Sequence, residues 1–128
     1  LACNSALVNM DSGREVAKIA GIDHDITNLP LGYDSEIGER GTVLSAGQQQ
    51  RVLIARALYQ QPKILLLDEG TAHLDKQTEA VVMQNIKALG ISCIFVSHNQ
   101  KLMSLADKIL VMEKDGYKLQ RVRTTVNV

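Results

Sequence analysis

Ile64-Leu65-Leu66-Leu67-Asp68-Glu69, the run ILLLDE that follows Pro62-Lys63, decides how this chain is built. An uninterrupted aliphatic run of this length suits a parallel strand covered on both faces, because a half-exposed strand alternates apolar and polar positions. Working outward, Lys76 to Leu89 predicts an amphipathic helix with Val82, Ile86 and Leu89 on its apolar side and Gly90 as its stop. Ile91 to Val96 predicts a second strand, Asn99 to Asp107 a helix, Lys108 to Met112 a third strand, and Asp115-Gly116 a hairpin turn into Tyr117 to Val122. Strand, helix, strand, helix, strand implies an α/β fold with a parallel sheet, flanking helices and right-handed crossovers. Ligands of such sheets gather at the carboxyl ends of the strands, where Asp68, Glu69, Ser97 and His98 fall. Asp68 and His98 lie one strand-helix-strand unit apart, which predicts that they sit side by side.

Toward the N-terminus, Ser45 and Gln48 form the S-x-x-Q pattern of a capping box, and a helix through Tyr59 follows, ending before Pro62. Further upstream, Arg14 to Ala20 and His24 to Asn28 predict two short helices, the second ending before Pro30. Leu31 to Gly41, punctuated by Gly32, Gly38 and Gly41, predicts an irregular connector.

The composition narrows the function classes. Fourteen Lys plus Arg balance fourteen Asp plus Glu over 128 residues, and no run of five like charges occurs, so an electrostatic grip on nucleic acid or anionic lipid has no support. With 45% hydrophobic and 22% charged residues the chain is an ordinary globular mixture of single-domain size. Its longest charge-free apolar stretch, Ala88 to Val96, is far shorter than the roughly 18 residues needed to cross a bilayer. Cys3 and Cys93, without a C-x-x-C or a Cys/His cluster, fit reduced thiols rather than a zinc site or a disulfide framework.

Three places hold residues suited to chemistry. Adjacent carboxylates at a strand exit, Asp68 and Glu69, point in different directions, so one can hold a hard cation such as Mg²⁺ while the other orients or deprotonates a water; equally, Asp68 can cap the next turn and Glu69 be a solvated acid. Ser45, Ala46, Gly47 and Gln48 place a hydroxyl, small residues and free N–H groups at a helix N-terminus, which suits a phosphate, although a well-capped helix needs the same residues. His98 after the second strand is either structural or a donor to a phosphoryl oxygen, and His24 reads as a surface residue.

Taken in order and spacing, Leu44-Ser45-Ala46-Gly47-Gln48, ILLLDE, Leu74-Asp75 within GTAHLD and His98 within FVSHN resemble the ATP-binding cassette (ABC) ATPases: their signature motif, Walker B strand, D-loop and switch histidine. The resemblance covers roughly Leu1 to Gly116, the C-terminal part of one P-loop ATPase domain. It implies a division into residues 1–42, part of a small helical subdomain with a coupling loop, and residues 43–128, the C-terminal part of the ATPase core. Ser35 to Gly41 (SEIGERG) resembles the coupling loop of exporters, and AGIDHDITNLPLGYDSEIGERG with the AHLD D-loop resembles peptidase-containing exporters of bacteriocins and toxins.

The resemblance further implies a role for each matching residue. Asp68 supports Mg²⁺, Glu69 activates the attacking water and His98 contacts the γ-phosphate. Ser45, Ala46, Gly47 and Gln48 meet the γ-phosphate of ATP bound mainly to the opposite subunit, and Asp75 lies at the dimer interface. The expected partners are a second ATPase domain, a transmembrane domain and, through it, a transported peptide or toxin, with no nucleic acid. The expected place is the cytoplasmic face of the cell membrane. Ala46, Gly70 and His73 depart from the family's usual glycine, alanine and alanine, and none removes a reacting group.

The phosphate loop G-x-x-x-x-G-K-[ST], or Walker A motif, does not occur in these 128 residues: no two glycines stand five apart and no Gly-Lys pair exists. The chain therefore reads as a soluble fragment of an exporter ATPase, inactive by itself. Losing that half also exposes apolar surface and a strand edge. Two other readings stay open, a non-catalytic module that pairs with an intact ABC ATPase and a soluble ABC-type ATPase of DNA repair or translation.

Overall fold

The computed structural model describes residues 10–38 and 41–122, grouped into two compact units that divide between Val96 and Ser97. In the first unit the order is α1 (Met10–Ile19), α2 (Asp23–Thr27), a 3₁₀ turn (Gly32–Asp34), α3 (Ala46–Tyr59), β1 (Ile64–Asp68), α4 (Lys76–Ala88) and β2 (Ser92–Val96). The small residues Ala17 and Ala20 are fully buried, which lets α1 lie against α2, α3 and α4. Ile22, Ile26, Val52, Ala55, Val82, Met83 and Ile86 are buried in the same unit. Each large aliphatic side chain so buried contributes about 1.5–3 kcal/mol relative to exposure. Asn85 Nδ2 donates to the Ile19 carbonyl at 3.2 Å and ties α4 to the end of α1.

α3 starts at Ser45 and stops at Gln60, where Gln61 takes a left-handed conformation (φ 51°) and donates its N–H to the Leu58 carbonyl at 2.9 Å. Pro62 then prevents continuation. α4 is followed by Leu89 as C-cap and by Gly90 at φ 71°, the stop that its glycine predicts. Leu89 itself is 43% exposed, so the apolar face of α4 is carried by Val82, Met83 and Ile86 and not by Leu89, whose place beyond the last helical turn takes it out of the stripe.

β1 and β2 pair in parallel, with Leu66 opposite Ile94 and Asp68 opposite Val96. Leu65 and Leu67 are buried, but the opposite face carries Ile64, Leu66, Ile94 and Val96 at 63%, 67%, 58% and 48% exposure. The expectation of a strand covered on both faces is thus corrected: among the described residues only one face is covered. An all-aliphatic run suits two covers, and the described residues supply one. The exposed apolar face agrees with the expectation of bared surface.

The second unit holds α5 (Gln100–Met103), β3 (Lys108–Glu113) and β4 (Gly116–Arg121). The third predicted strand does not extend the parallel sheet: β3 and β4 form a separate antiparallel pair, with Met112 opposite Tyr117 and Glu113 opposite Gly116. The two-residue turn Lys114-Asp115, one position earlier than predicted, brings β4 straight back onto β3. The Asn99 side chain caps α5 by accepting from the Lys101 N–H at 3.0 Å, and Leu102 is fully buried. Cys3 lies outside the described residues. Cys93 is a free, half-buried thiol whose burial pushes its pKa up. Among the described residues no helix is long and apolar enough to cross a membrane.

Candidate functional site

The N-terminus of α3 is built as its sequence requires. Ser45 is extended (φ −62°, ψ 161°); its Oγ accepts from the Gln48 N–H at 3.2 Å, and Gln48 Oε1 accepts from the Ser45 N–H at 2.9 Å. The first turn contains no acidic residue, and the Asp25 carboxylate that accepts from the Gln48 side chain is paired with Arg51. Helix geometry leaves the leading N–H groups of Ala46 and Gly47 without an intrahelical acceptor, and the Ser45 hydroxyl keeps its proton to donate. Such donors at a helix N-terminus suit an anion.

The Gln48 side chain is committed to the protein at both ends. Its Nε2 donates to Asp25 Oδ1 at 2.9 Å, while Arg51 Nη1 pairs with Asp25 Oδ2 at 2.9 Å and also donates to the Gly21 carbonyl. Asp25 thereby fastens the first turns of α3 to α2. The Gln48 contribution available to an anion is its location, with Ser45 and the leading amides as the donors.

Asp68 ends β1 and is exposed, as is Glu69. Glu69 has φ 50°, a left-handed conformation that glycine adopts freely and a side-chain-bearing residue adopts at a cost, often at functional sites. The segment after it is pinned from several sides. The Glu69 carbonyl accepts from the Ala72 N–H at 3.0 Å and from Gln50 Nε2 at 3.3 Å, and Gln50 Oε1 accepts from the His73 N–H at 2.9 Å. Thr71 Oγ1 donates to Glu79 Oε1 at 2.6 Å, both residues being buried. A Cβ on Gly47 would stand 3.1 Å from the His73 carbonyl oxygen, so the absence of a side chain lets α3 and this segment touch. A Cβ on Gly70 would meet Leu67, most closely Cδ2 at 3.3 Å, an approach that a few tenths of an ångström relieve.

Asp75 is the N-cap of α4. Its Oδ1 accepts from the N–H groups of Gln77 (3.1 Å) and Thr78 (2.9 Å), and its Oδ2 from Thr78 Oγ1 (2.5 Å). The Thr78 hydroxyl and then its N–H hold the Asp75 carboxyl below the usual carboxylate range. His98 lies in the second unit, exposed, between Ser97 and the Asn99 cap of α5; Ser97 Oγ accepts from the Asn99 N–H at 3.0 Å. His24 is exposed, as expected, and its ring meets Asn28 Nδ2.

The first unit therefore brings together Ser45, Ala46, Gly47 and Gln48 on α3 and the segment that carries Glu69 and Asp75, through Gln50 and Gly47. Gln50, Thr71 with Glu79, and Asp25 are the residues that the sequence reading missed. Only the capping role of Asp75 had a local signal, an Asp directly before a helical stretch. Among the described residues no group of three or more His, Cys, Asp or Glu could hold a metal ion on its own. The oxygen donors of Asp68 and Glu69 fit Mg²⁺ that arrives with phosphates, since that ion keeps waters and takes one or two carboxylates beside the substrate's oxygens.

Comparisons with known proteins show the family of the chain. The family model described as ABC transporter matches residues 4–72. The leukotoxin translocation ATP-binding protein LktB of Mannheimia haemolytica is 46% identical over 100 residues, covering 77% of this chain and 14% of the relative. The multidrug resistance protein sirA of Leptosphaeria maculans is 49% identical over 109 residues, covering 84% of this chain and 9% of the relative. A bacterial Atm1-family ABC exporter with ATP bound superposes with a TM-score of 0.72 at 41% identity, over 80% of this chain and 18% of that one. The chain thus spans less than a fifth of the length of each of these relatives. With a family model over more than half of its residues and the signature helix joined to the acidic segment as described, this chain belongs to the ABC transporter family.

Proposed function

We propose that this chain is part of the ATP-hydrolysing subunit of an ABC exporter, and that its parent couples ATP hydrolysis to movement of a peptide or toxin across the membrane. The observation that carries the reading is the α3 N-terminus, with its capping box and no acid in the first turn, fastened by Gln50 to the segment of Glu69. Similarity to a toxin-translocating relative supports the cargo class. The partners are a second ATPase domain and a transmembrane domain at the cytoplasmic face of the membrane. Ile37 and Val43, exposed apolar residues on either side of the loop closed by Gly41, support such docking.

In this reading Glu69 takes a proton from water as the water oxygen attacks the γ-phosphorus and the bond to the ADP oxygen breaks. Asp68 holds Mg²⁺ directly or through water, and that ion, when bound, offsets phosphate charge. His98 donates to a γ-phosphate oxygen. Ser45 and the amides of Ala46 and Gly47, with Gln48 holding the cap, receive the γ-phosphate of ATP bound mainly to the opposite subunit, and Asp75 stands at the interface between them. The 128 residues alone, without a phosphate loop, bind nucleotide weakly and turn over negligibly.

The experiment is steady-state ATP hydrolysis by the intact parent with and without Glu69→Gln. A general base contributes roughly 10²–10⁴-fold, and the variant is expected to lose that much. Unchanged turnover removes the role.

One observation favours a second reading. The bared face of Ile64, Leu66, Ile94 and Val96 suits a truncated chain that associates with an intact ATPase domain as a non-catalytic module. Mixing the purified chain with an intact domain separates the two readings. The second reading predicts altered turnover of the intact domain, and the first predicts none.

A further inference from the structure

We propose that Gln50 is a positioning residue for hydrolysis: one carboxamide fastens the phosphate-facing helix end to the backbone that aims Glu69. The inference rests on the reading of Glu69 as the residue that activates water. Two hydrogen bonds carry it. Gln50 Nε2 donates to the Glu69 carbonyl at 3.3 Å, and Gln50 Oε1 accepts from the His73 N–H at 2.9 Å. They bracket the residues whose conformation matters.

Glu69 is held at φ 50°, a left-handed backbone that returns to the extended or helical region unless its surroundings prevent it. Its carbonyl is restrained by the Ala72 N–H from within the turn and by Gln50 from outside it. Gln50 is therefore the restraint that comes from α3. The two helix residues that reach this segment, Gly47 and Gln50, lie on one side of α3, less than one turn apart. A shift of the helix end when a phosphate arrives passes directly to the carbonyl of Glu69 and the N–H of His73. The requirement is chemically narrow. The side chain must donate and accept at once and reach past the Cβ positions. Glu has no donor when ionised, Lys and Arg have no acceptor, and Asn is one methylene shorter.

The test uses the full-length parent, with Gln50→Met, which keeps length and loses both hydrogen bonds, and Gln50→Glu, which keeps the acceptor for His73. Turnover is expressed per ATP-binding site, so that misfolded protein does not count. Displacing a catalytic group by about an ångström costs roughly 10²-fold. Gln50→Met is expected to lower kcat by about 10–100-fold on that basis, with KM for ATP within about threefold of the wild type. Amide exchange at His73 is expected to accelerate in Gln50→Met and to stay protected in Gln50→Glu, whose kcat falls less. A kcat for Gln50→Met within about twofold of the wild type, in a protein where Glu69→Gln abolishes hydrolysis, overturns the proposal and leaves the reading of Glu69 standing. Unchanged hydrolysis in Glu69→Gln instead removes the reading of Glu69, and His73 exchange then still reports whether the clamp exists. A loss seen only as a raised KM also overturns the proposal.

Discussion

Replacing Thr71 by Val removes one oxygen from the middle of the pinned segment and little else. The Thr71 hydroxyl donates to Glu79 Oε1 at 2.6 Å, and both residues are buried, so the carboxyl oxygen left behind has restricted access to water. A net hydrogen bond contributes about 0.5–1.5 kcal/mol, and one to a charged group about 1.5–3 kcal/mol. Valine has nearly the shape of threonine, so no cavity adds to this. The expected loss is about 2 kcal/mol, within the range for a hydrogen bond to a charged group. For a chain of this size that lowers Tm by roughly 8 °C. The assay is urea unfolding of the purified chain followed by far-UV circular dichroism, with Glu79→Leu and the double variant completing a cycle. Residues in contact give coupling energies of about 0.5–3 kcal/mol, and this pair is expected near 1–2. A Thr71→Val chain as stable as the wild type, or a coupling energy indistinguishable from zero, refutes the claim that this bond holds the segment to α4.

Two further outcomes follow from local geometry. The Asp75 carboxyl is held below its ordinary pKa by Thr78, so the stability it contributes is present above the unfolded carboxylate's pKa and is lost as pH falls through the folded value; Asp75→Asn, which keeps a cap but does not titrate, should show a flatter loss of stability in acid unfolding. At Gly41 a Cβ would lie 2.3 Å from the Glu36 carbonyl oxygen, which accepts from the Thr42 N–H at 2.8 Å. Gly41→Ala must therefore move backbone, and it should cost about 1–3 kcal/mol in the same urea assay, whereas a neutral result means the loop is not closed this way.

Much of the fold is legible locally. Ser45 and Gln48 announce the capping box because both partners lie within one turn, and the Gly90 stop and the β3–β4 hairpin carry equally short-range signals. Which face of β1 is bare is not legible, because Ile64 to Leu67 is aliphatic at every position and shows no alternation to tell a covered face from a bare one. The sheet that β3 joins is not legible for a related reason: the strand-helix-strand rhythm continues through it, although among the described strands β3 pairs only with its hairpin partner β4. At the site, Asp68, Glu69 and the residues from Ser45 to Gln48 could be picked out by type and spacing. The contacts of Gln50 with Glu69 and His73, and of Asp25 with Gln48 and Arg51, join residues 19 to 26 positions apart, and no local pattern encodes them.

In the proposed function Ser45 of one chain and Glu69 of another act on the same γ-phosphate. The direct measurement mixes two disabled forms of the intact parent, Ser45→Arg and Glu69→Gln, each nearly inactive as a homodimer. In the mixed dimer one composite site regains an unaltered Ser45 and an unaltered Glu69, so ATP hydrolysis recovers on mixing. If the mixture stays as inactive as its components while mixed dimers demonstrably form, the two residues do not meet across chains and the account is contradicted.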